Sequence, residues 1–399
     1  MVNIKDRLLI SASAGLRAAA VGLSGVIIAI HLSAMGWNVP LIGLLISIGL
    51  IGAAMGTLVI LFVSKHLPKR LVLVALSLFM VGGGLAFAFS RNISLLVVSA
   101  FFGMVNGMGR DKGPAGAIEQ AILPRTAPDT GRTKVFAWYN ATIDAGHALG
   151  ALLGGLPALF RLGAGAGRLA SYEWTWLVYA FLCFLSGLLV LGLSSAMDPD
   201  GVETPGIPAS GHSRPVIRRF ALLSGLDSLG GGFLTTALVG FWFFKRFGAD
   251  ESLLGPLFFF ARAANMLSHF GAAWIARRIG LLNTMVFTHV PSSLLLLTIP
   301  FMPNLTVAVI LFVLRESLVE MDVPTRQSYL MAIVKPHERV GAAAATNLTR
   351  GVAWGVAPMI AGRLGAVSLS LPILIGPAIK IVYDFWLYFE FRKIKPPEE

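Results

Sequence analysis

Arg110, Asp111 and Lys112 fall within MGRDKGPAG, Met108 to Gly116, directly after the apolar run ISLLVVSAFFGMV, where a hydrophobic segment should still be running. Arg17 and Asp227 are likewise isolated in apolar surroundings, and Glu316, Glu320 and Asp322 crowd into LRESLVEMD. A charge at the centre of a membrane span costs about 2.5–3.5 kcal/mol on insertion scales. Such residues therefore face a cavity or a partner and are functional by default. Two kinds of chemistry are open to them. Arg17, Arg110 and Lys112 can hold an anionic group, while Asp227, Glu316, Glu320 and Asp322 can bind a cationic one or take and release a proton. Asp144 and His147 in NATIDAGHALG are three apart and share a helix face. A His–carboxylate pair can carry protons near neutral pH or serve as a satisfied bond between helices, and both readings stay open. Asp111 has a second reading too, as a local structural clasp.

Other chemistries are excluded by what the chain lacks. There is no H-E-x-x-H, no G-x-S-x-G and no G-x-x-x-x-G-K-[ST], so neither a metalloprotease, a serine hydrolase nor a phosphate-binding loop is written here. Cys183 stands alone in FLCFLSG, which rules out an intramolecular disulfide and a thiolate metal cluster. No enzyme activity, metal or cofactor is expected.

The elements that must position these charges are membrane helices. The 399 residues are 56% hydrophobic and 13% charged, against about 25% charged in ordinary soluble domains. Apolar segments recur, each long enough for the ~20 residues a bilayer core requires. Twelve helices are expected to start near residues 8, 39, 70, 93, 133, 172, 217, 251, 281, 303, 339 and 367. The polar, proline-containing stretch MDPDGVETPGIPASGHSRP separates two halves. The expected organisation is an N-terminal six-helix bundle over 1–196, a cytoplasmic linker over 197–216 and a C-terminal six-helix bundle over 217–399. With an even span count, alternate loops hold 18 basic residues and the other set 6. The positive-inside rule then places both termini and the linker in the cytoplasm. It also explains the net charge of +12 without any nucleic-acid partner.

The halves repeat. A shift of 207 residues carries Gln120 onto Gln327, Arg132 onto Arg339, Asn140 onto Asn347 and Thr142 onto Thr349. A shift of 210 carries Pro114 onto Pro324, Gly15 onto Gly225 and Gly22 onto Gly232. Six spans repeated in one orientation imply bundles related by an axis along the membrane normal, with a ligand bound between them. Under the 210 shift Arg17 meets Asp227, Arg110 meets Glu320 and Lys112 meets Asp322, so three basic positions face three acidic ones. The polar set Gln120, Arg132, Asn140, Gln327, Arg339 and Asn347 is expected near the cytoplasmic ends, shaping a gate. Pro114 and Pro324 are expected to interrupt the fourth and tenth spans. Lys380 and Asp384, four apart, are expected to satisfy each other, and His269 and His289 to be packing residues.

Twelve spans, a six-plus-six repeat and a polar central linker resemble the major facilitator superfamily. The segments AIEQAILP, RTKVFAWYN, RRIGLLNTMVFTH and MDVPTRQSYLMAIV look like a prokaryotic subgroup of it. One family signature is degenerate: FVSKHLPKR puts Ser64 where the loop between spans 2 and 3 usually carries Asp. The resemblance implies that spans 1, 4, 7 and 10 line a central cavity. It also implies a monomeric secondary active transporter in the cell inner membrane, moving a small polar or charged organic solute by alternating access. Asp227, Glu316, Asp144 and His147 are the candidates for proton coupling. The alternatives are export of amphiphilic drug-like compounds, or a receptor or enzyme that transports nothing.

Overall fold

A computed structural model of the chain describes residues 4–63, 67–126, 132–194, 214–335 and 338–394. For 61–63, 132–134, 273 and 340 it describes the backbone alone. Most of the expected linker, and Ser64 of the degenerate signature, lie outside these residues.

The described residues are helical and contain no strand. In chain order the helices are α1 (Ile4–Ala34), α2 (Val39–Val63), α3 (Lys69–Phe89), α4 (Ile93–Phe102), α5 (Gly113–Ile122), α6 (Arg132–Leu153), α7 (Leu156–Ala164) and α8 (Arg168–Leu191). There follow α9 (Arg214–Gly232), α10 (Thr236–Phe247), α11 (Glu251–Ile279), α12 (Leu281–Thr298), α13 (Leu305–Val319), α14 (Asp322–Ile333), α15 (Arg339–Val367) and α16 (Leu371–Phe391). Every one of the expected starts falls within 4 residues of a helix start. Eight helical segments among the described residues are long and apolar enough to cross a membrane. The rest of the apolar sequence is divided into shorter helices, such as α4, or carries more charge.

The breaks differ from expectation in position. The fourth apolar run stops at Phe102, well before Pro114, and the tenth at Val319, before Pro324. Both prolines lie in the first turn of the following helix, α5 and α14. There the missing N–H would have no intrahelical partner anyway, and the fixed φ suits a helix start. A third break separates α9 from α10, where the Thr235 hydroxyl caps α10 by accepting from the Leu238 N–H at 3.3 Å.

The chain divides into two compact units. One comprises residues 1–203 with 235–259, the other 204–234 with 260–399. In the first, α1 packs along α6 on a seam of small residues. A Cβ on Gly150 would lie 2.0 Å from the Ala19 carbonyl oxygen, and one on Gly22 2.3 Å from that of His147. Close backbone approach of this kind drives helix association where lipid offers no hydrophobic contrast. In the second unit α9 packs along α15 in the same manner. Gly225 meets the Thr349 methyl as Gly15 meets the Thr142 methyl, so the repeat read in the sequence recurs as the same contact in each unit.

Candidate functional site

In the first unit, α1 carries Arg17 and α5 carries Glu119, both buried. Arg17 Nη2 lies 2.6 Å from Glu119 Oε2. The Tyr139 hydroxyl, from α6, donates to the same oxygen at 2.8 Å. Glu119 can face Arg17 because the chain between α4 and α5 is not helical and turns α5 inward. Irregular backbone in an apolar setting needs protein partners for its polar groups, and several find them here. Asn106 donates to the Met104 carbonyl at 3.1 Å and accepts from the Met108 N–H at 2.9 Å. The Ala237 N–H reaches the Gly107 carbonyl and the Thr236 hydroxyl the Met108 carbonyl, each at 3.0 Å. Gly109 is required there: its φ is +71°, and a Cβ would meet Thr236 Oγ1 at 2.6 Å.

Asp111 acts within this stretch as a clasp. Its carboxylate accepts from the Gly113 N–H at 3.0 Å and from Asn106 Nδ2 at 3.4 Å. Lys112 donates to Asn140 at 2.9 Å, and Arg110 is half-buried. Arg17, Asp111, Lys112 and His147 line one small cleft together with Ala14 and Ile143. Asp144, half-buried on α6, is not among its lining residues.

The second unit gathers more charge around one carboxylate. Asp227, buried on α9, accepts from Lys380 at 2.7 Å, Arg326 at 2.8 Å and Arg350 at 3.2 Å. Arg326 also pairs with Asp322 one turn earlier on α14, at 2.9 Å. His289 on α12 bridges outward from the cluster: Nδ1 lies 2.8 Å from Asp384 and Nε2 3.1 Å from Lys380 Nζ. The expectation that Lys380 and Asp384 satisfy each other gives way to this arrangement. Lys380 is drawn to Asp227, and Asp384 is left to His289, which is a network member and not mere packing. Arg350 lies over the Trp354 ring at 4.9 Å. Glu316 is bonded to its neighbour Arg315 and accepts from Asn265 Nδ2 at 2.8 Å, while Glu320 ends α13.

These two arrangements are one motif with its polarity reversed. The 210 shift takes Arg17 to Asp227, and the 207 shift takes Glu119 to Arg326. A buried pair thus joins equivalent positions in each unit, base-to-acid in the first and acid-to-base in the second. The sequence reading found Arg17 and Asp227 but missed Glu119, Arg326, His289, Lys380 and Asp384 as their company. The same 207 shift that matched Gln120 to Gln327 would have matched Glu119 to Arg326 one position earlier. Of the expected gate set, Gln120, Asn140, Gln327, Arg339 and Asn347 are exposed, and Arg339 donates to the Met331 carbonyl at 2.9 Å. The Arg132 side chain lies outside the described residues.

The model of the Major Facilitator Superfamily matches residues 10–358. The chain belongs to that superfamily. As a Major Facilitator Superfamily member it is a multi-pass membrane transporter of a small molecule and not an enzyme. It is 28% identical over 417 residues to the uncharacterized membrane protein YJR124C of Saccharomyces cerevisiae, covering 96% of this chain and 93% of that one. Its fold is similar to that of a variant of the nucleoside transporter NupG, with a TM-score of 0.76 at 13% identity over 98% of this chain and 100% of that one. It is also similar to a D-xylose–proton symporter, with a TM-score of 0.74 at 13% identity over 97% and 98% of the two chains. A bacterial homologue of the human lysosomal transporter Spinster gives 0.69 at 14% identity over 96% and 94%.

Proposed function

We propose that this superfamily member is a proton-coupled secondary transporter of a small polar or charged organic solute, working by alternating access as a monomer. It resides in the cell inner membrane with both termini cytoplasmic. The observation that carries the reading is the convergence of Lys380, Arg326 and Arg350 on Asp227. Ionisable groups inside a membrane protein mark substrate and proton pathways, and a carboxylate held by several cations is a switch that a proton or a ligand can rebalance. The fold's likeness to a D-xylose–proton symporter supports proton coupling, and its likeness to a nucleoside transporter supports a polar cargo. Arg17, Arg110 and Lys112, with Glu316, Glu320 and Asp322, belong to substrate binding or gating. His147, in the cleft with Arg17, and Asp144 provide a second proton route.

The test is solute-induced proton movement. Purified protein in liposomes with an entrapped pH dye is challenged with nucleosides, pentoses, amino acids and small carboxylates. One class is expected to move protons inward with the solute, and Asp227→Asn to remove the signal. Solute uptake with no proton movement would leave a transporter but contradict the coupling.

A further inference from the structure

We propose that the cargo is an organic monocarboxylate, held by Arg350 and admitted together with one proton on His289; this rests on the transport reading above. Among the described residues, the charged groups paired around the cluster are Asp227 on α9, His289 on α12, Asp322 and Arg326 on α14, Arg350 on α15, and Lys380 and Asp384 on α16, with the neutral Tyr383 of α16 beside Arg326 and His289. On α13, Arg315 and Glu316 bond to each other. With His289 neutral, three carboxylates balance three cations. A neutral solute leaves that balance untouched. A monoanion alone would leave an uncompensated charge in a low-dielectric place, which is strongly unfavourable. A monoanion with one proton restores it.

The geometry names the group that takes the proton. The Lys380 ammonium has only donors, so its contact with His289 Nε2 at 3.1 Å requires a lone pair on that nitrogen. Nδ1 then carries the ring hydrogen and donates to Asp384 at 2.8 Å. In that tautomer Nε2 is the ring nitrogen left to accept a proton. A proton arriving at Nε2 sets two cationic groups against each other. The new N–H turns to Asp227 Oδ1, 3.8 Å away. Asp227 then has four cationic partners, and the weakest is released. That partner is Arg350: its distance to Asp227 is the longest of the three, 3.2 Å, and its side chain is 14% exposed against 7% for Arg326 and 8% for Lys380. Resting on Trp354, the freed guanidinium presents two parallel donors, the geometry that recognises a carboxylate.

Calorimetric titration of the purified full-length protein reads this directly. Benzoate, lactate and gluconate are compared with benzamide and lactamide, and with uridine and xylose, at about pH 7.5, above the ordinary histidine range. Each titration is run in buffers of different ionisation enthalpy, which reports protons taken up per ligand bound. At least one carboxylate is expected to bind with uptake of about one proton, its amide not to bind, and Arg350→Gln to weaken binding at least ~10-fold. His289→Gln should bind the carboxylate without proton uptake. If that variant does not fold, the wild-type proton count decides, with Arg350→Lys expected to bind more weakly while keeping the uptake. Carboxylate binding without proton uptake, equal binding of the amide, or full affinity in Arg350→Gln would each overturn the proposal. Binding of uridine or xylose with no carboxylate binding would overturn it too, while leaving the transport reading intact. Failure of every carboxylate to bind overturns it whatever the liposome assay shows.

Discussion

Arg17 and Glu119 meet at 2.6 Å and are both buried, and removing either takes away the ion-pair partner of the other, with only the neutral Tyr139 hydroxyl still donating to Glu119. Breaking a buried pair in this way typically costs about 3–5 kcal/mol. Arg17→Ala and Glu119→Ala are each expected to lower the melting temperature sharply. The reversed pair Arg17→Glu with Glu119→Arg should recover part of the loss, because Asp227 and Arg326 already use that polarity in the other unit. Melting curves of the four proteins check this, and a double variant no more stable than the singles would contradict it. Asp111 behaves differently, since its carboxylate accepts from the Gly113 N–H and from Asn106. Asp111→Asn keeps an acceptor for the Gly113 N–H and should be mild. Arg17 and Asp227 were legible from sequence because isolation in an apolar run is a local signal. Glu119 and Arg326 were not, since each sits in a polar-looking segment and its partner is about a hundred residues away.

Helix ends and seams are the next scale. The prolines of GPAG and VPTR read naturally as interruptions, yet each begins a helix, and the non-helical backbone lies upstream of it. What marked that stretch instead was the density of glycine and charge around Gly109 to Gly113. The segment 235–259 is fastened within the first unit by Glu251, a buried carboxylate that accepts from Arg161 Nη2 at 2.6 Å and from the Tyr172 hydroxyl. Gly255 adds a tight approach, its Cβ position 3.1 Å from the Ala151 carbonyl oxygen. Glu251→Gln is expected to loosen this fastening, seen as faster hydrogen exchange over 236–259 with little change in α3 and α8. Unchanged exchange would mean that backbone packing alone holds the segment. On the α1–α6 seam, Gly150→Leu should prevent stable folding, because even a Cβ would overlap the Ala19 carbonyl. Gly163→Ala, with open space around it, should be neutral by the same thermal assay.

At the scale of the whole molecule, the membrane class, the helix starts and the internal repeat were all legible, because hydrophobic length and a fixed offset survive in one dimension. Ser64 in place of the signature's carboxylate and the +12 charge are likewise sequence-level facts. Lys380, Arg326 and Arg350 converge on Asp227 from three other helices, and no local spacing announces that. The orientation expected from the basic loops, with the linker cytoplasmic, is tested by placing a cysteine at Ser210. Cys183 is buried, so an impermeant thiol reagent should label only the new site, and only from the cytoplasmic side. Labelling from outside intact cells would reverse the topology. Whether the Asp227 network ties a proton to the solute is decided by one comparison in one set of liposomes. Gradient-driven accumulation of the solute is measured beside solute exchange at equal pH, in wild type and in Asp227→Asn. Asp227→Asn is expected to lose accumulation far more than it loses exchange. Accumulation as strong as wild type would contradict it.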